Sequence, residues 1–72
     1  MHNKYLNSKW TSVKKVKGWR HYQVRNVFKN KKELEIFAVC DKNIFFNVTF
    51  NEIRNENLWL PGWKEMDKLY EN

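Results

Sequence analysis

The sequence predicts a mainly β fold: a small antiparallel SH3-like barrel or, as the alternative, a strongly bent sheet, with one short helical turn. Apolar and polar residues alternate with period two in three segments, short polar turns separate these segments, and helical spacing begins only after them. A chain of 72 residues forms a single domain, 1–72, with an expected ordered core at about residues 6–64. The barrel is favoured because closure limits exposed strand edges in a small domain.

The first two strands are predicted at residues 9–13 and 21–30. The first contains Trp, Thr and Val, which are residue types favoured in strands. The segment 14–18 between them is rich in lysine and ends in glycine, so we expect a basic loop. The second strand alternates until Asn26 and Val27, where the break in the pattern indicates a β-bulge.

The next two strands are predicted at residues 33–40 and 43–50, joined by short polar turns into an antiparallel meander. In the third strand, Leu34, Ile36, Ala38 and Cys40 share one face. We therefore expect Cys40 to be a small buried hydrophobic residue. In the fourth strand the apolar face is formed by Ile44, Phe46, Val48 and Phe50.

The pattern changes to helical spacing after the meander. Thr49 and Glu52 have the spacing of a capping box, which predicts a single helical turn through Arg54. Pro61 and Gly62 indicate a turn. From Trp63 onward the apolar spacing is compatible with a short C-terminal helix, and a frayed chain end is the alternative.

The core must come from large apolar side chains, because the single cysteine excludes an intrachain disulfide. The chain has four Trp, three Tyr and five Phe, and each aromatic side chain buries a large area. We expect Trp10, Trp59 and Trp63 to be mainly structural. The lone thiol, the lack of a signal-peptide pattern and the lack of a long apolar stretch favour a cytoplasmic protein outside the membrane.

Several short motifs occur in one order along the chain: Lys9 to Val13, His21 to Val24, Ala38-Val39, Glu52-Ile53, and Trp59 to Trp63. This order resembles a family of small Trp-rich bacterial proteins of unknown function, over about residues 6–64. The resemblance implies a structural family motif formed by Trp10, His21, Trp59, Gly62 and Trp63. It implies no activity, substrate or catalytic residue. The segment between Val13 and His21 departs from the family pattern, because basic residues stand where the family usually has a proline and an acidic residue.

Catalysis is not expected from this sequence. His2, His21 and Cys40 are scattered, with none of the spacings that bind a metal. Two glycines do not form a phosphate-binding loop. We therefore expect a protein that is not an enzyme and that needs neither a metal nor a cofactor.

Charge distribution favours a binding function. Residues 1–32 contain ten basic residues and no acidic one, whereas residues 33–72 contain four basic and eight acidic residues. Cations neutralise phosphates and aromatic faces stack on bases, so this half of the chain is suited to nucleic acid. The candidate nucleic-acid-binding residues are Lys14, Lys15, Lys17, Trp19, Arg20 and Arg25.

A second function of a different class stays open. The tryptophans could line a groove that accepts a peptide or a partner protein. Salt dependence separates the two hypotheses, since phosphate binding weakens steeply with salt and an aromatic groove responds little. We expect a monomer or a weak dimer in either case.

Overall fold

The computed structural model describes residues 4–65 and contains one five-stranded sheet and one short helix. The elements are β1 (Lys9–Val16), β2 (Trp19–Phe28), β3 (Glu33–Ala38), β4 (Asp41–Thr49), α1 (Phe50–Arg54) and β5 (Trp59–Pro61). The strand order is β4-β3-β2-β1-β5, and every neighbouring pair is antiparallel. The predicted mainly β class and the meander β2-β3-β4 are confirmed.

The barrel prediction is wrong, because the sheet does not close. Closure requires β4 to pair with β5, but these strands form the two edges of the sheet. The helix α1 follows β4 directly and contacts both β4 and β5, so it occupies the place where a closing pair would form. The short β5 reaches only β1, with Ser12 opposite Trp59.

One face of the sheet forms the core under α1. Its fully or almost fully buried residues are Tyr22, Val24, Leu34, Ile36, Ala38, Val48, Ile53 and Trp59. Tyr22 lies at the centre and meets Phe46 and Trp59 edge-on, with ring centroids 5.4 and 5.5 Å apart. Its hydroxyl donates to the carbonyl of Val16 at 2.7 Å, and burial raises its pKa above the ordinary value.

The segment predicted as a basic loop is part of a β-hairpin, so that prediction is wrong. β1 continues to Val16, and only Lys17 and Gly18 form the turn, with φ of 52° and 88°. Positive φ at both positions is the signature of a type I′ hairpin turn. The alternation pattern did not reveal that β1 continues to Val16, because β1 contains a large β-bulge. The four residues that follow Thr11 lie opposite the single residue Arg20.

Two local predictions are confirmed. The β2–β3 register shifts between Val24 and Asn26, where the bulge was expected. The capping box also forms: the Thr49 hydroxyl accepts from the Glu52 amide at 3.0 Å, and the Glu52 carboxylate accepts from the Thr49 amide at 2.8 Å.

The prediction for Cys40 is wrong. β3 ends at Ala38, and the turn to β4 consists of Val39 and Cys40, two residues earlier than expected. The register shifts after Phe37, and Ala38 then pairs with Asp41. Cys40 therefore leaves the apolar strand register and is exposed.

The chain crosses the sheet after β5. Residues 63–65 have no helical structure, and the rest of the helix considered for the C-terminal end lies outside the described residues. No helix within residues 4–65 is long and apolar enough to cross a membrane.

Candidate nucleic-acid interface

The sheet face opposite the core has no helix over it in residues 4–65, and we call it the open face. Successive side chains along a strand point to opposite faces, so it carries the residues that alternate with the buried ones. Its members include Lys9 and Thr11 of β1, His21, Gln23 and Arg25 of β2, Glu33, Glu35 and Phe37 of β3, and Phe45 and Asn47 of β4.

Trp63 lies against the open face and is not part of the buried core. The residue is 42% exposed. The indole Nε1 donates to the Tyr22 carbonyl at 3.0 Å, which fixes the ring on the sheet. The Lys9 Nζ lies 4.9 Å from the ring centroid, and the His21 ring lies 6.2 Å away. The indole is thus an anchored but accessible aromatic surface beside the Lys9 ammonium.

The residues of the family motif meet around β1, where the structure gives most of them a structural role. Trp59 is buried, and Trp10 is half-buried with its Nε1 donating to the Ser8 hydroxyl at 2.7 Å. Gly62 has a φ of 80° and donates its amide to the Lys9 carbonyl at 2.7 Å. This positive φ explains why a glycine ends β5 and lets the chain turn over the sheet.

Thr11 and His21 hold the crossing segment on the open face. The Thr11 hydroxyl donates to the Gly62 carbonyl at 2.6 Å and accepts from the Lys64 amide at 2.8 Å. His21 Nε2 lies 2.8 Å from the Lys64 carbonyl oxygen. His21 is therefore hydrogen-bonded to the backbone of this segment.

A second aromatic and cationic group lies on β2, β3 and β4. The Arg25 guanidinium lies 5.5 Å from the Phe37 ring centroid and 4.8 Å from that of Phe45. It also pairs with the Glu35 carboxylate, which accepts from the Asn26 amide at 2.9 Å. Hydrogen bonds from Asn26 and from Arg25 lower the pKa of Glu35. Arg25 is thus both partly neutralised and held over two rings.

Strand register joins these two groups into one surface. Lys9 pairs with Gln23, Gln23 with Phe37, and Phe37 with Phe45, so one row crosses four strands. Three strand spacings make this row about 14 Å long. Along β2, the six steps from Trp19 to Arg25 span about 20 Å.

The structure divides the predicted binding residues into two groups. Lys14, Lys15 and Lys17 are exposed on the hairpin, and Trp19 is 37% exposed and pairs with Val16 next to the hairpin turn. Arg20 precedes His21 directly in β2, so its side chain points to the other side of the sheet. Its Nη1 donates to the Val13 carbonyl at 2.6 Å inside the β1 bulge, which indicates a structural role.

Sequence reasoning missed three contributors to this surface: Lys9, Phe37 and Phe45. Phe45 is 55% exposed. The sequence does contain a signal for these residues. Once the strand register is known, alternation places them on the same face of the sheet as His21.

The structure also contains a groove on the core side of the sheet, between β1 and β4. Its volume is about 570 Å³. Its lining includes Val16, Phe46, Val48, Leu58 and Trp59. Within the described part of the chain, no group of three His, Cys, Asp or Glu side chains could hold a metal ion.

Comparison with known proteins gives a family. A family model described as Tryptophan-rich protein (DUF2389) matches residues 8–64, which confirms the resemblance seen in the Trp motifs. No curated protein and no solved structure matches the chain.

Proposed function

We propose that this chain, which belongs to the Tryptophan-rich protein (DUF2389) family, is a small cytoplasmic binding module without enzymatic activity that contacts nucleic acid. The observation that carries the proposal is the combination of an exposed tryptophan and a cation on the open face. Trp63 is 42% exposed there, and Lys9 lies over its ring. Trp19, which is 37% exposed, begins β2 beside the basic hairpin turn. Exposed rings beside cations combine stacking on bases with attraction for phosphates.

The hairpin supplies the electrostatic part of this surface. Lys14, Lys15 and Lys17 are exposed, and their side chains form no ion pair within residues 4–65. They lie next to Trp19, at the end of the open face away from Glu33 and Glu35. Such cations attract phosphates without regard to sequence, and the attraction weakens with salt because counterions are released on binding.

The first test replaces Lys14, Lys15 and Lys17 with Ala and measures binding to fluorescent DNA and RNA oligonucleotides over a range of salt concentrations. We expect weaker binding to every sequence and a slope of log K against log salt that falls by up to about three units. The melting temperature should stay nearly unchanged, because these side chains are exposed.

A matched control removes the same charge elsewhere. Lys29, Lys31 and Lys32 are also exposed, but they lie at the opposite end of β2, in the turn to β3. Each triple substitution includes one lysine with positive φ, Lys17 or Lys32, so the backbone cost is similar. Equal loss of affinity in both variants would show that net charge alone drives binding. No binding by the wild-type protein at low salt would overturn the proposal.

Protein binding is the second candidate function, and the groove between β1 and β4 favours it. The groove is mainly apolar, and Trp59 and Phe46 line it beside the unpaired edge of β4. A sheet edge beside an apolar groove can accept an extended peptide as an added strand. Binding of this kind would persist at high salt and would depend on groove residues such as Leu58.

A further inference from the structure

We propose that the open face binds single-stranded nucleic acid by stacking unpaired bases on Trp63 and on the Phe37–Phe45 pair. This inference rests on the proposed function and names its substrate class. It differs from a purely electrostatic contact at the hairpin, because it assigns the affinity for bases to rings fixed on the sheet.

Trp63 has the geometry of a stacking platform. Its Nε1 bond to the Tyr22 carbonyl, at 3.0 Å, fixes the ring while leaving it 42% exposed. A ring that is already fixed loses little conformational freedom when a base stacks on it. Lys9 lies 4.9 Å from the ring centroid, where its ammonium can meet a phosphate beside the stacked base.

Phe37 and Phe45 provide a second position on the same surface. Phe45 is 55% exposed, an unusual exposure for a phenylalanine at the middle of a strand. The Arg25 guanidinium covers part of both rings at 5.5 and 4.8 Å. Bases stack on guanidinium planes as well as on aromatic rings, so Arg25 adds to this position.

The charges on this surface match a polyanion better than an apolar partner. Arg25 and Glu35 form an ion pair and cancel each other, and Glu33 lies at the far end of the face. The positive charge that remains is at the other end, where Lys9 is exposed beside Trp63 and Lys17 lies at the hairpin tip.

The rings select single strands over duplexes. In a duplex the base faces are stacked on one another, and only base edges are accessible in the grooves. A face of about 14 by 20 Å with rings lying on it offers contacts to exposed base faces. Single strands present such faces at no unpairing cost.

The test measures fluorescence anisotropy with four probes of about 12 nucleotides at about 0.15 M salt. The probes are oligo(dT), oligo(rU), a mixed-sequence DNA duplex, and an abasic oligonucleotide with the same phosphates and no bases. We expect the two single strands to bind at least about tenfold more tightly than the duplex and the abasic probe, because each stacked base adds affinity. The relative affinities of oligo(dT) and oligo(rU) then show whether DNA or RNA is preferred.

Substitutions locate the binding to the rings. Trp63→Leu and Phe45→Leu should each weaken oligo(dT) binding by about 5- to 150-fold, the effect of losing one stacked base. Trp63→Phe, which keeps a ring, should retain most of the affinity. Leu58→Ala is the matched control, since Leu58 is 43% exposed but lies in the groove on the core side. A folded amide spectrum by NMR checks each variant.

The possible outcomes separate this inference from the function on which it rests. If no probe binds, the proposed nucleic-acid function fails. If duplex and abasic probes bind as well as single strands, or if Trp63→Leu and Phe45→Leu bind normally, the stacking inference fails and the electrostatic function stands. If Leu58→Ala alone loses binding, the groove is the site and the inference is overturned.

Discussion

The two faces of the sheet use aromatic residues for different purposes. On the core face, Tyr22 is fully buried and Trp59 is 5% exposed, and the two rings meet edge-on at 5.5 Å. On the open face, Trp63 and Phe45 are 42% and 55% exposed and lie beside Lys9 and Arg25. The comparison teaches that what covers each face, and not the aromatic content of the chain, decides which rings are structural.

Within residues 4–65, the two faces of the sheet are covered to different extents. A sheet is stabilised when one face packs on another layer. The five-residue helix α1 buries Ile53 against the core face. On the open face, the described chain contributes only the crossing segment 62–64.

The largest expected effect distinguishes the two tryptophans of the last motif. Trp59→Ala should lower the free energy of unfolding by about 3–5 kcal/mol, because it leaves a cavity beside Tyr22. Trp63→Ala should cost only about 1–2 kcal/mol, because it removes one hydrogen bond and a partly exposed contact. Urea denaturation followed by circular dichroism measures both values.

Equal losses in these two variants would break the comparison between the faces. In that case Trp63 would be as structural as Trp59, and its exposure would not indicate a binding surface. Trp10→Ala is a useful intermediate, since Trp10 is half-buried against the core. We expect its cost to fall between the other two.

Most of the fold could be predicted because alternation is a local property of the sequence. The burial of Leu34, Ile36 and Ala38 in β3, the bulge near Asn26 and the Thr49–Glu52 capping box all follow from residue types at short spacing. Local alternation could not show whether the sheet closes into a barrel. Closure depends on whether α1 or a paired strand fills the gap between β4 and β5, which is a long-range question.

The candidate site was predicted only in part for the same physical reason. Cation spacing identified the exposed lysines of the hairpin and Arg25. The bulge in β1 hid the role of Arg20, whose hydrogen bond to Val13 exists only because extra residues lie opposite it. The position of Trp63 follows from the turn at Gly62, and no local pattern reports which face a crossing segment will take.

An intermediate effect is expected from deleting one hydroxyl on the core face. Tyr22→Phe removes the bond from the tyrosine hydroxyl to the Val16 carbonyl but keeps the ring. It should cost about 1 kcal/mol, the usual net contribution of such a bond. Trp63→Phe is the matched change on the open face, where the indole that donates the bond belongs to a residue that is 42% exposed, so its hydrogen-bond loss should be smaller. A larger loss for Trp63→Phe, measured by urea denaturation, would contradict this ordering.

The smallest expected effect concerns the ion pair on the open face and appears as a pH dependence. Hydrogen bonds from Asn26 and Arg25 lower the folded-state pKa of Glu35 below its ordinary value of 4.5. A lowered folded-state pKa stabilises the protein above pH 4.5, and this contribution is lost as the pH falls through the folded-state value. Glu35→Gln removes the titrating group. The stability difference between wild type and variant should therefore be constant near neutral pH and shrink in acid.

Urea denaturation of both proteins from neutral pH to about pH 3 measures this difference. We expect it to be modest, because the pair lies at the surface and solvent screens it. Added salt should reduce it further, whereas the cost of Trp59→Ala should not respond to salt in this way. A pH-independent difference would show that Glu35 acts through packing alone. Arg25 would then be held over Phe37 and Phe45 without help from the carboxylate charge.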